Sequence, residues 1–553
     1  MNHAGLIDLV PSNMRELWAN KGLYPNRSVY DLFCDHVQEH SQQAAVAMLG
    51  QTVSYAQLLD SVQRLAARFK ALGIVAGDVI AYALPNSWQC CAIDLAAAAL
   101  EAIVAPFPTG RGRLDIESLL RRCDARMIIL ESEHGGVDLC ALIESLRPTL
   151  LSLRLLVVDG DARQNWHTLD SLFTGEPIAA HDLPSVCPNC PVRFLISSGT
   201  ESEPKWVAYS HNALVGGRGR FLQRMHASDE SFRGLYLMPL GTAFGSSATV
   251  GILSWLGGTV IVNPQFDVVQ TIQIISDLKP NYIFGVPTMF QRIAADPALA
   301  HIDKSSLIAI VSGGATIDDV SIRRCMQAFD CGFISLYGSA DGVNCHSSLT
   351  DSVEVILAKI GKPNPDVCAI SIMDENGHEV KQGEVGEITA LGPMTPMQYV
   401  NAPELDALYR GKDGWVYTGD LGFIDNEGYL VLAGRKKDII IRGGANISPV
   451  QIETLAVSHP DVVSAACVPV SDPDMGQCIC LCLVMREGVK RPSLVEFTHY
   501  LYEQGLEKNK LPEYLRYYRQ LPLNPAGKVD KKQLTAEVEC IQSFMQVRTG
   551  TSS

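Results

Sequence analysis

Charged residues are few in this 553-residue chain, and basic residues are the scarcer kind. Lys and Arg number 45 against 60 Asp and Glu, so the net charge is −15, and charged residues make up only 19% of the sequence. Nucleic acids are bound through clustered Lys and Arg, and this composition therefore argues against a nucleic-acid partner. The hydrophobic fraction of 47% is enough for a large buried core, and the length predicts several globular units.

Long uninterrupted apolar runs are also missing. The first ten residues, MNHAGLIDLV, contain no basic segment followed by an apolar stretch, and the apolar run from Ala92 to Phe107 is interrupted by Asp94 and Glu101. We therefore expect neither a signal peptide nor a membrane-spanning helix, and no membrane partner. These features predict a cytoplasmic protein, either a monomer or a homodimer.

The 16 cysteines lack the spacing of a metal site. Cys187-Pro-Asn-Cys190 has no second pair at a distance suited to zinc, and without a secretory signal the thiols are expected to be reduced. Cys478, Cys480 and Cys482 alternate with apolar residues, which predicts that they share one face of a strand.

A candidate phosphate-binding segment lies near residue 200, although it is not the P-loop pattern, because no Gly-Lys-Ser/Thr opens a helix there. An apolar run, Val192 to Ile196, ends in a turn rich in Ser, Gly and Thr, and Lys205 introduces a second apolar run. This pattern predicts a strand, a polar loop and a strand, with backbone N–H groups, hydroxyls and Lys205 available to an anion. A plain turn between two strands is the alternative.

The same segment resembles the phosphate loop of the adenylate-forming superfamily, which reads roughly (T/S)-S-G-T-T-G-x-P-K-G. That superfamily contains acyl-CoA synthetases, aryl-acid ligases, peptide-synthetase adenylation domains and luciferases. The residues kept are Ser197, Ser198, Gly199, Thr200, Pro204 and Lys205. The departures are Glu201, Ser202 and Trp206. Carboxylates at Glu201 and Glu203 would repel a triphosphate unless they face water or Mg²⁺.

Apolar segments with helical and strand spacing alternate between residues 28 and 131, which is typical of parallel sheets covered by helices. The resemblance extends this to an α/β fold with a large N-terminal domain of parallel-rich sheets covered by helices, a β-barrel-like part, and a small α+β C-terminal lid domain. The expected boundaries are residues 1–436 for the core that binds ATP and the acid, 437–540 for the mobile lid, and 541–553 for a disordered tail.

A second segment, Tyr337-Gly338-Ser339-Ala340-Asp341, resembles the family motif Y-G-x-T-E. Ala340 replaces a phosphate-binding Thr, as it does in aryl-acid ligases, and Asp341 replaces the Glu that relatives use for Mg²⁺. Aspartate is still a hard oxygen ligand, so we expect Asp341 to hold Mg²⁺ directly or through a water. A cap on the next turn is the alternative role for Asp341.

The segment Pro239 to Gly245 resembles the acid-binding segment P-(L/M)-(F/Y)-H-x-x-G. Thr242 stands at the His position, and Ala243 and Phe244 stand where amino-acid-activating relatives place an Asp. A buried ammonium without a carboxylate would cost several kcal/mol, so an ordinary α-amino acid is not expected. Together with Ala340, which resembles the aryl-acid ligase pattern, this favours an aryl or other compact apolar acid as the substrate. Phe244 as a simple core residue is the alternative. The resemblance adds Gly313, Gly342 and Val343 to the pocket.

The resemblance also assigns roles near the end of the chain. Asp420 and Arg435 are expected to bind ribose, Lys437 to act as the hinge, and Lys528 to be the catalytic lysine that bridges the acid carboxylate and the α-phosphate. A solvated lysine in a polar turn is the alternative for Lys528. The residues expected to contact ATP are Ser197, Ser198, Gly199, Thr200, Lys205, Gly314, Ala315, Tyr337, Gly338, Ser339, Ala340, Asp420 and Arg435.

The reaction that the resemblance implies begins with adenylation of a carboxylic acid by ATP, giving acyl-AMP and pyrophosphate. The acyl group then forms a thioester with CoA or with the phosphopantetheine of an acyl carrier protein, and Mg²⁺ is the expected cofactor. Positioning and positive charge would supply most of the catalysis of the first step. Two other functions stay open at this point: a nucleotide-binding member of the family that has lost turnover, and a luciferase-like oxygenase that shares the adenylation half-reaction.

Overall fold

The computed structural model describes residues 6–197, 204–226, 228–314, 317, 319–411, 413–442, 445–472, 475–523 and 529–549, with the backbone alone at 197, 445–446 and 541–549. The chain divides into two compact units. The first contains residues 1–371 and 389–418, and the second contains residues 372–388 and 419–553. The domain boundary expected at residue 437 stays a prediction.

Two eight-stranded sheets form the framework of the first unit. In spatial order, the first sheet contains Asn344–His346, Gly332–Gly338, Ala309–Gly313, Tyr282–Gly285, Arg233–Tyr236, Thr259–Val262, Ala44–Met48 and Gln51–Ser54. The second sheet contains Gln398–Tyr399, Lys205–Ser210, Pro191–Ser197, Ile103–Pro106, Val79–Ala83, Met127–Glu131, Leu155–Asp159 and His167–Thr168. The inner pairs of both sheets are parallel, and antiparallel pairs stand toward the edges.

Helices cover both faces of each sheet in this unit. The α-helices are Ser12–Asn20, Val29–His40, Tyr55–Ala71, Trp88–Ala99, Arg113–Arg122, Leu139–Leu146, Leu169–Leu172, His211–Ala213, Arg220–Met225, Val268–Leu278, Pro287–Ala294, Asp319–Phe329, Val353–Ala358 and Pro403–Tyr409. Two π-helices, Leu214–Gly219 and Ala248–Leu256, lie among them. The shorter 3₁₀ turns are Arg147–Thr149, Ala180–Asp182 and Pro297–His301. This arrangement is the one expected of parallel sheets, whose apolar faces both need cover.

The core shows why the apolar runs become internal strands. In the strand Val79–Ala83, Ile80 and Tyr82 belong to the largest buried cluster, while Val79 and Ala81 belong to another cluster on the opposite face. Successive side chains of a strand point to opposite faces, so a continuous apolar run is suited to a strand that is covered on both sides.

A local sequence signal sets the start of one long helix. The helix Tyr55–Ala71 begins at Ser54, whose hydroxyl accepts the Gln57 N–H at 3.2 Å while the Gln57 side chain accepts the Ser54 N–H at 2.9 Å. This reciprocal capping satisfies two backbone donors that the first helical turn leaves without partners.

A third, four-stranded sheet contains Ala369–Met373, Gly386–Leu391, Val416–Ile424 and Leu430–Arg435 in that order, and three of its strands contain a boundary between the units. The predicted barrel-like part stays a prediction. A two-stranded pair, Glu133–His134 with Val137–Asp138, completes the strands of the first unit.

The second unit is a small α+β structure. Its five-stranded sheet contains Ala445–Ile447, Ile440–Arg442, Gly476–Met485, Val462–Asp472 and Tyr514–Tyr518. Its helices are Pro449–Val457, Leu494–Glu503 and Lys531–Thr549, with 3₁₀ turns at Lys436–Asp438 and Lys508–Lys510. The last helix therefore includes residues 541–549 of the segment expected to be a disordered tail. The predicted α/β fold with a small C-terminal part is confirmed.

The alternating cysteines share one strand face, as predicted. Cys480 and Cys482 pack in one buried cluster, and Ile479 and Leu481 pack in another on the opposite face. All cysteines are free thiols. None of the helices in the described ranges combines the length and apolar character needed to cross a bilayer.

Candidate active site

The predicted phosphate loop connects two antiparallel strands. Pro191–Ser197 pairs with Lys205–Ser210, and Ser197 and Lys205 are the last Cα partners before the loop. The predicted loop residues that lie outside the described part of the chain are Ser198, Gly199, Thr200, Glu201 and Ser202, together with the side chain of Ser197. The two predicted strands on either side are confirmed, and phosphate binding by the residues between them stays a prediction.

Lys205 is held at the first residue of its strand. Its side chain is 8% exposed, and its Nζ lies 4.9 Å from the centroid of the Tyr409 ring. The face of an aromatic ring carries partial negative charge, which attracts an ammonium group. Tyr409 therefore stabilises the Lys205 charge directly beside the predicted phosphate loop.

Trp206, which departs from the family loop, is a core residue. It is 1% exposed, its indole Nε1 donates to the Leu119 carbonyl at 2.9 Å, and its ring lies 6.4 Å from that of Phe194. A buried indole normally finds an acceptor for its N–H, and this one does. The departure is thus explained by packing on the second sheet.

The segment that resembles Y-G-x-T-E forms a tight turn at the carboxyl end of the strand Gly332–Gly338. The Ser339 N–H donates to the Val343 carbonyl at 3.2 Å, and the Ser339 hydroxyl accepts the Asp341 N–H at 3.1 Å. The Ala340 carbonyl accepts the Tyr209 hydroxyl at 2.7 Å. Tyr337 and Gly338 are the last two residues of that strand. Ligands of open α/β sheets gather at such carboxyl ends, which agrees with the predicted nucleotide role.

Asp341 accepts a hydrogen bond from a tyrosine. The Tyr399 hydroxyl donates to Asp341 Oδ1 at 2.6 Å. Burial and, next, the charge of Asp341 raise the pKa of Tyr399 far above its ordinary value. The hydroxyl therefore stays protonated and is the hydrogen-bond donor of the pair. Among the described residues, three or more His, Cys, Asp or Glu side chains do not converge on any one point. A single carboxylate fits Mg²⁺, which usually binds through one or two carboxylates and the phosphates of its substrate.

The predicted acid pocket brings Phe244 and Gly313 together. A Cβ added to Gly313 would lie 3.0 Å from Phe244 Cε1, so any larger residue at 313 would push against this ring. The Phe244 ring also meets Phe284 edge to face, with centroids 6.0 Å apart. Phe244 is partly buried and packs against the largest buried cluster, and its role in the acid pocket stays a prediction.

Other predicted pocket residues have structural roles as well. The Thr242 hydroxyl donates to the Pro239 carbonyl at 2.8 Å and accepts the Gly245 N–H at 3.0 Å, so it stabilises its own turn. The Ala243 carbonyl accepts a hydrogen bond from Nη1 of the buried Arg218 at 2.9 Å.

The remaining pocket residues are glycines and a core valine. Gly314 and Gly342 have φ of +85° and +99°, a region that disfavours other residues. Val343 is fully buried in the core, and Ala315 lies outside the described residues.

The predicted ribose-binding residues form an ion pair in the second unit. Asp420 and Arg435 are Cα partners on neighbouring antiparallel strands, and Arg435 Nε lies 2.8 Å from Asp420 Oδ1. Lys437 is exposed in the 3₁₀ turn Lys436–Asp438, while Lys528 lies outside the described residues. The ribose, hinge and catalytic assignments stay predictions.

Comparison with known proteins settles the family. A family model described as "AMP-binding enzyme" matches residues 33–400, and one described as "AMP-binding enzyme C-terminal domain" matches residues 451–528. The chain belongs to the AMP-binding enzymes. The predicted membership of the adenylate-forming superfamily is thereby confirmed.

Named relatives of this AMP-binding enzyme are ligases. It is 30% identical over 499 residues to indoleacetate–CoA ligase of Aromatoleum aromaticum, covering 89% of this chain and 94% of that protein. It is 28% identical over 528 residues to 2,3-dihydroxybenzoate-AMP ligase of Bacillus subtilis, covering 95% and 96%. The structure of the amide bond synthetase McbA from Marinactinospora thermotolerans superposes with a TM-score of 0.80 at 25% identity, covering 92% of this chain and 99% of that one. The prediction of an AMP-forming ligase is confirmed.

Sequence motifs missed the residues that hold the predicted acid-binding segment of this AMP-binding enzyme. The Asn86 side chain accepts the Leu240 N–H at 2.8 Å and donates to the Met238 carbonyl at 3.0 Å. Arg193 donates to the Leu240 carbonyl at 2.8 Å and forms a buried ion pair with Asp94. The only signals were the break at Pro85-Asn86-Ser87 and the lone charge of Asp94 within an apolar helix.

Glu387 was also missed. In the second unit it accepts the Gly419 N–H at 3.1 Å and pairs with Lys436 Nζ at 2.9 Å. It therefore supports both strands that carry the Asp420–Arg435 pair. The turn-rich Gly-Glu-Val-Gly-Glu segment that contains it indicated a β segment without a role for this carboxylate.

Proposed function

We propose that this chain activates an aryl or other compact apolar carboxylic acid with ATP and transfers the acyl group to the thiol of CoA or of a carrier-protein phosphopantetheine. The observation that carries the proposal is the convergence of three predicted segments in the first sheet. Gly313 is the last residue of one of its parallel strands, and Phe244 and the turn at Asp341 come after the carboxyl ends of two others, where α/β sheets bind ligands.

The first half-reaction joins the acid to AMP. A carboxylate oxygen of the substrate attacks the α-phosphorus of ATP, the bond from that phosphorus to the bridging oxygen breaks, and pyrophosphate leaves. Lys205 and the 197–200 loop hold the departing phosphates, and Lys528 offsets charge at the α-phosphate. Asp341 would hold Mg²⁺, which supplies charge neutralisation on the phosphates when bound. Catalysis of this step depends mainly on positioning and electrostatics.

In the second half-reaction the acceptor sulfur attacks the acyl carbonyl carbon. The carbon–oxygen bond to AMP breaks, the thiol proton is released to solvent, and the thioester leaves. In this proposal Asp420 and Arg435 hold the ribose of AMP. Lys437 is the hinge about which the predicted lid rotates between the two half-reactions.

The acid specificity follows from what faces the pocket. Thr242, Ala243 and Phe244 provide no carboxylate for an ammonium, and the partly exposed Phe244 ring offers an apolar surface beside Gly313. A flat or compact apolar acid suits these neighbours, whereas an α-amino acid would leave its ammonium without a counter-ion.

The test is ATP–pyrophosphate exchange over a panel of aryl, short aliphatic and amino acids. We expect exchange with aryl or compact apolar acids and none with α-amino acids, followed by thioester formation with CoA or a pantetheinylated carrier protein. Exchange with no acid, despite measurable ATP binding, would refute the proposal in favour of a nucleotide-binding protein. Oxygen uptake or light emission with the adenylate would point instead to the luciferase-like chemistry.

A further inference from the structure

Two tyrosines connect the predicted metal carboxylate with the predicted phosphate lysine. The Tyr399 hydroxyl donates to Asp341 Oδ1 at 2.6 Å, and the Tyr399 ring lies 6.0 Å from the ring of Tyr409. The Tyr409 ring in turn lies under Lys205, with the Nζ 4.9 Å from the ring centroid. All four residues belong to the first unit. One short segment, residues 399–409, therefore contacts both groups that the proposed function places at the triphosphate.

The backbone of Tyr399 is fixed independently of Asp341. Tyr399 is the Cα partner of Val207 on the strand that Lys205 begins. Its N–H donates to both carboxylate oxygens of Asp406, at 3.1 and 3.2 Å. Asp406 also pairs with Arg410, whose Nε lies 2.8 Å from Oδ1. Since Tyr399 is 4% exposed as well, its hydroxyl is a donor whose position is set by the surrounding structure.

A hydrogen-bond donor in a fixed position can hold the Asp341 carboxylate in one orientation. Free aspartate rotates about its side-chain bonds, and binding a cation would have to stop that rotation. Charge-assisted hydrogen bonds to a carboxylate are short and directional, so the bond from Tyr399 to Oδ1 restricts the rotation of the Asp341 carboxylate before a cation binds. Partners of metal ligands act in this way in many metal sites.

We propose that Tyr399 is a positioning residue that orients Asp341 for the metal–triphosphate, and that Tyr409 positions Lys205 for the phosphates. This proposal rests on the proposed function. It explains how an aspartate, one methylene shorter than the glutamate of the family motif, is held in a defined orientation.

The test removes the hydroxyl group of Tyr399. Tyr399→Phe keeps the ring packing and removes the hydrogen bond to Asp341. We expect the Mg²⁺ concentration for half-maximal pyrophosphate exchange to rise about tenfold, because loss of a ligand's partner typically weakens metal affinity by about 10–100-fold. Mn²⁺ binding in the presence of a non-hydrolysable ATP analogue, measured by electron paramagnetic resonance, should weaken by a similar factor without any turnover.

Tyr55→Phe is the matched control. Tyr55 is fully buried, and its hydroxyl donates to the Gly258 carbonyl at 2.7 Å, far along the sheet from Asp341. This variant should lower the thermal unfolding midpoint while leaving the Mg²⁺ and Mn²⁺ dependences within about twofold of wild type, a change typical of ordinary hydrogen-bond loss away from the site. A purely structural role for Tyr399 would make the two variants behave alike.

A second pair of variants tests whether the two residues act together. In an Asp341→Asn background, Tyr399→Phe should have no further effect on Mn²⁺ binding, since effects of residues that act through one contact are not additive. Tyr409→Leu should raise the KM for pyrophosphate and leave the Mg²⁺ dependence unchanged.

Unchanged or tighter Mn²⁺ binding in Tyr399→Phe would overturn the inference. The proposed function would survive that result if wild type still exchanged pyrophosphate. Absence of exchange in wild type would instead refute the proposed function, and the Mn²⁺ measurement would still decide the role of Tyr399.

Discussion

Asn86 offers the sharpest test of how the predicted acid-binding segment is held in position. Its side chain, which is 4% exposed, bridges the Leu240 N–H and the Met238 carbonyl. Leu240 lies two residues before Thr242. Asn86→Ala leaves both backbone groups buried without these partners. Each unsatisfied buried group costs about 1–3 kcal/mol, so the variant should lose about 2–4 kcal/mol of stability once partial relaxation is allowed.

The functional effect should appear in the binding of the acid. Leu240 closely precedes Thr242, Ala243 and Phe244 in the chain. Loss of the Asn86 hydrogen bonds should therefore make the position of these predicted pocket residues less well defined. We expect the KM for the acid in pyrophosphate exchange to rise about tenfold, which corresponds to about 1.4 kcal/mol, with the KM for ATP changed by less than about twofold. Steady-state exchange at varied acid and varied ATP measures both constants.

Asn281→Ala is the matched control for this prediction. Asn281 is 1% exposed and bridges backbone groups in the same way, accepting the Arg233 N–H at 2.7 Å and donating to the Ser231 carbonyl at 2.9 Å. These contacts lie at the amino ends of the strands Arg233–Tyr236 and Tyr282–Gly285, opposite the predicted pocket. Both variants should lower the unfolding midpoint similarly, and an equal rise in the acid KM for Asn281→Ala would refute a positioning role for Asn86.

Two further results are expected. Lys528→Ala should abolish adenylation while sparing thioester formation from a preformed adenylate, because the family resemblance assigns this lysine to the first step alone; equal loss of both steps, measured by exchange and by thioester release, would contradict that assignment. Burial lowers the pKa of His211 to about 3, so the unfolded chain binds a proton that the folded chain does not as the pH falls below the ordinary value of 6.5. Because of His211, the free energy of unfolding should fall by about 2 kcal/mol between pH 6.5 and 5. In His211→Gln, a plot of the unfolding midpoint against pH should therefore have a shallower slope over that range.

The fold was readable from the sequence where a local pattern fixes the structure. Buried runs such as Val79 to Ala81 and Met127 to Leu130 became parallel strands, because only strands covered on both faces bury such runs completely. The two π-helices could not be predicted from the sequence. Gly217 in the first of them permits contact with Met394, where a Cβ would overlap that side chain. Close approach of this kind depends on a residue far along the chain and leaves no periodic signal.

The motifs predicted the candidate site from the sequence, whereas the residues that support those motifs could not be predicted. Tyr399 lies 58 residues from Asp341, and Asn86 lies 154 residues from Leu240, so no local spacing relates them. The same limit applies to departures from the family motifs. From the sequence, Ala340 signals the loss of a phosphate-binding hydroxyl. In the structure, its backbone carbonyl accepts the Tyr209 hydroxyl, a contact that any side chain at 340 would keep. The substitution therefore removes one side-chain donor and leaves intact the contact that holds the turn presenting Asp341.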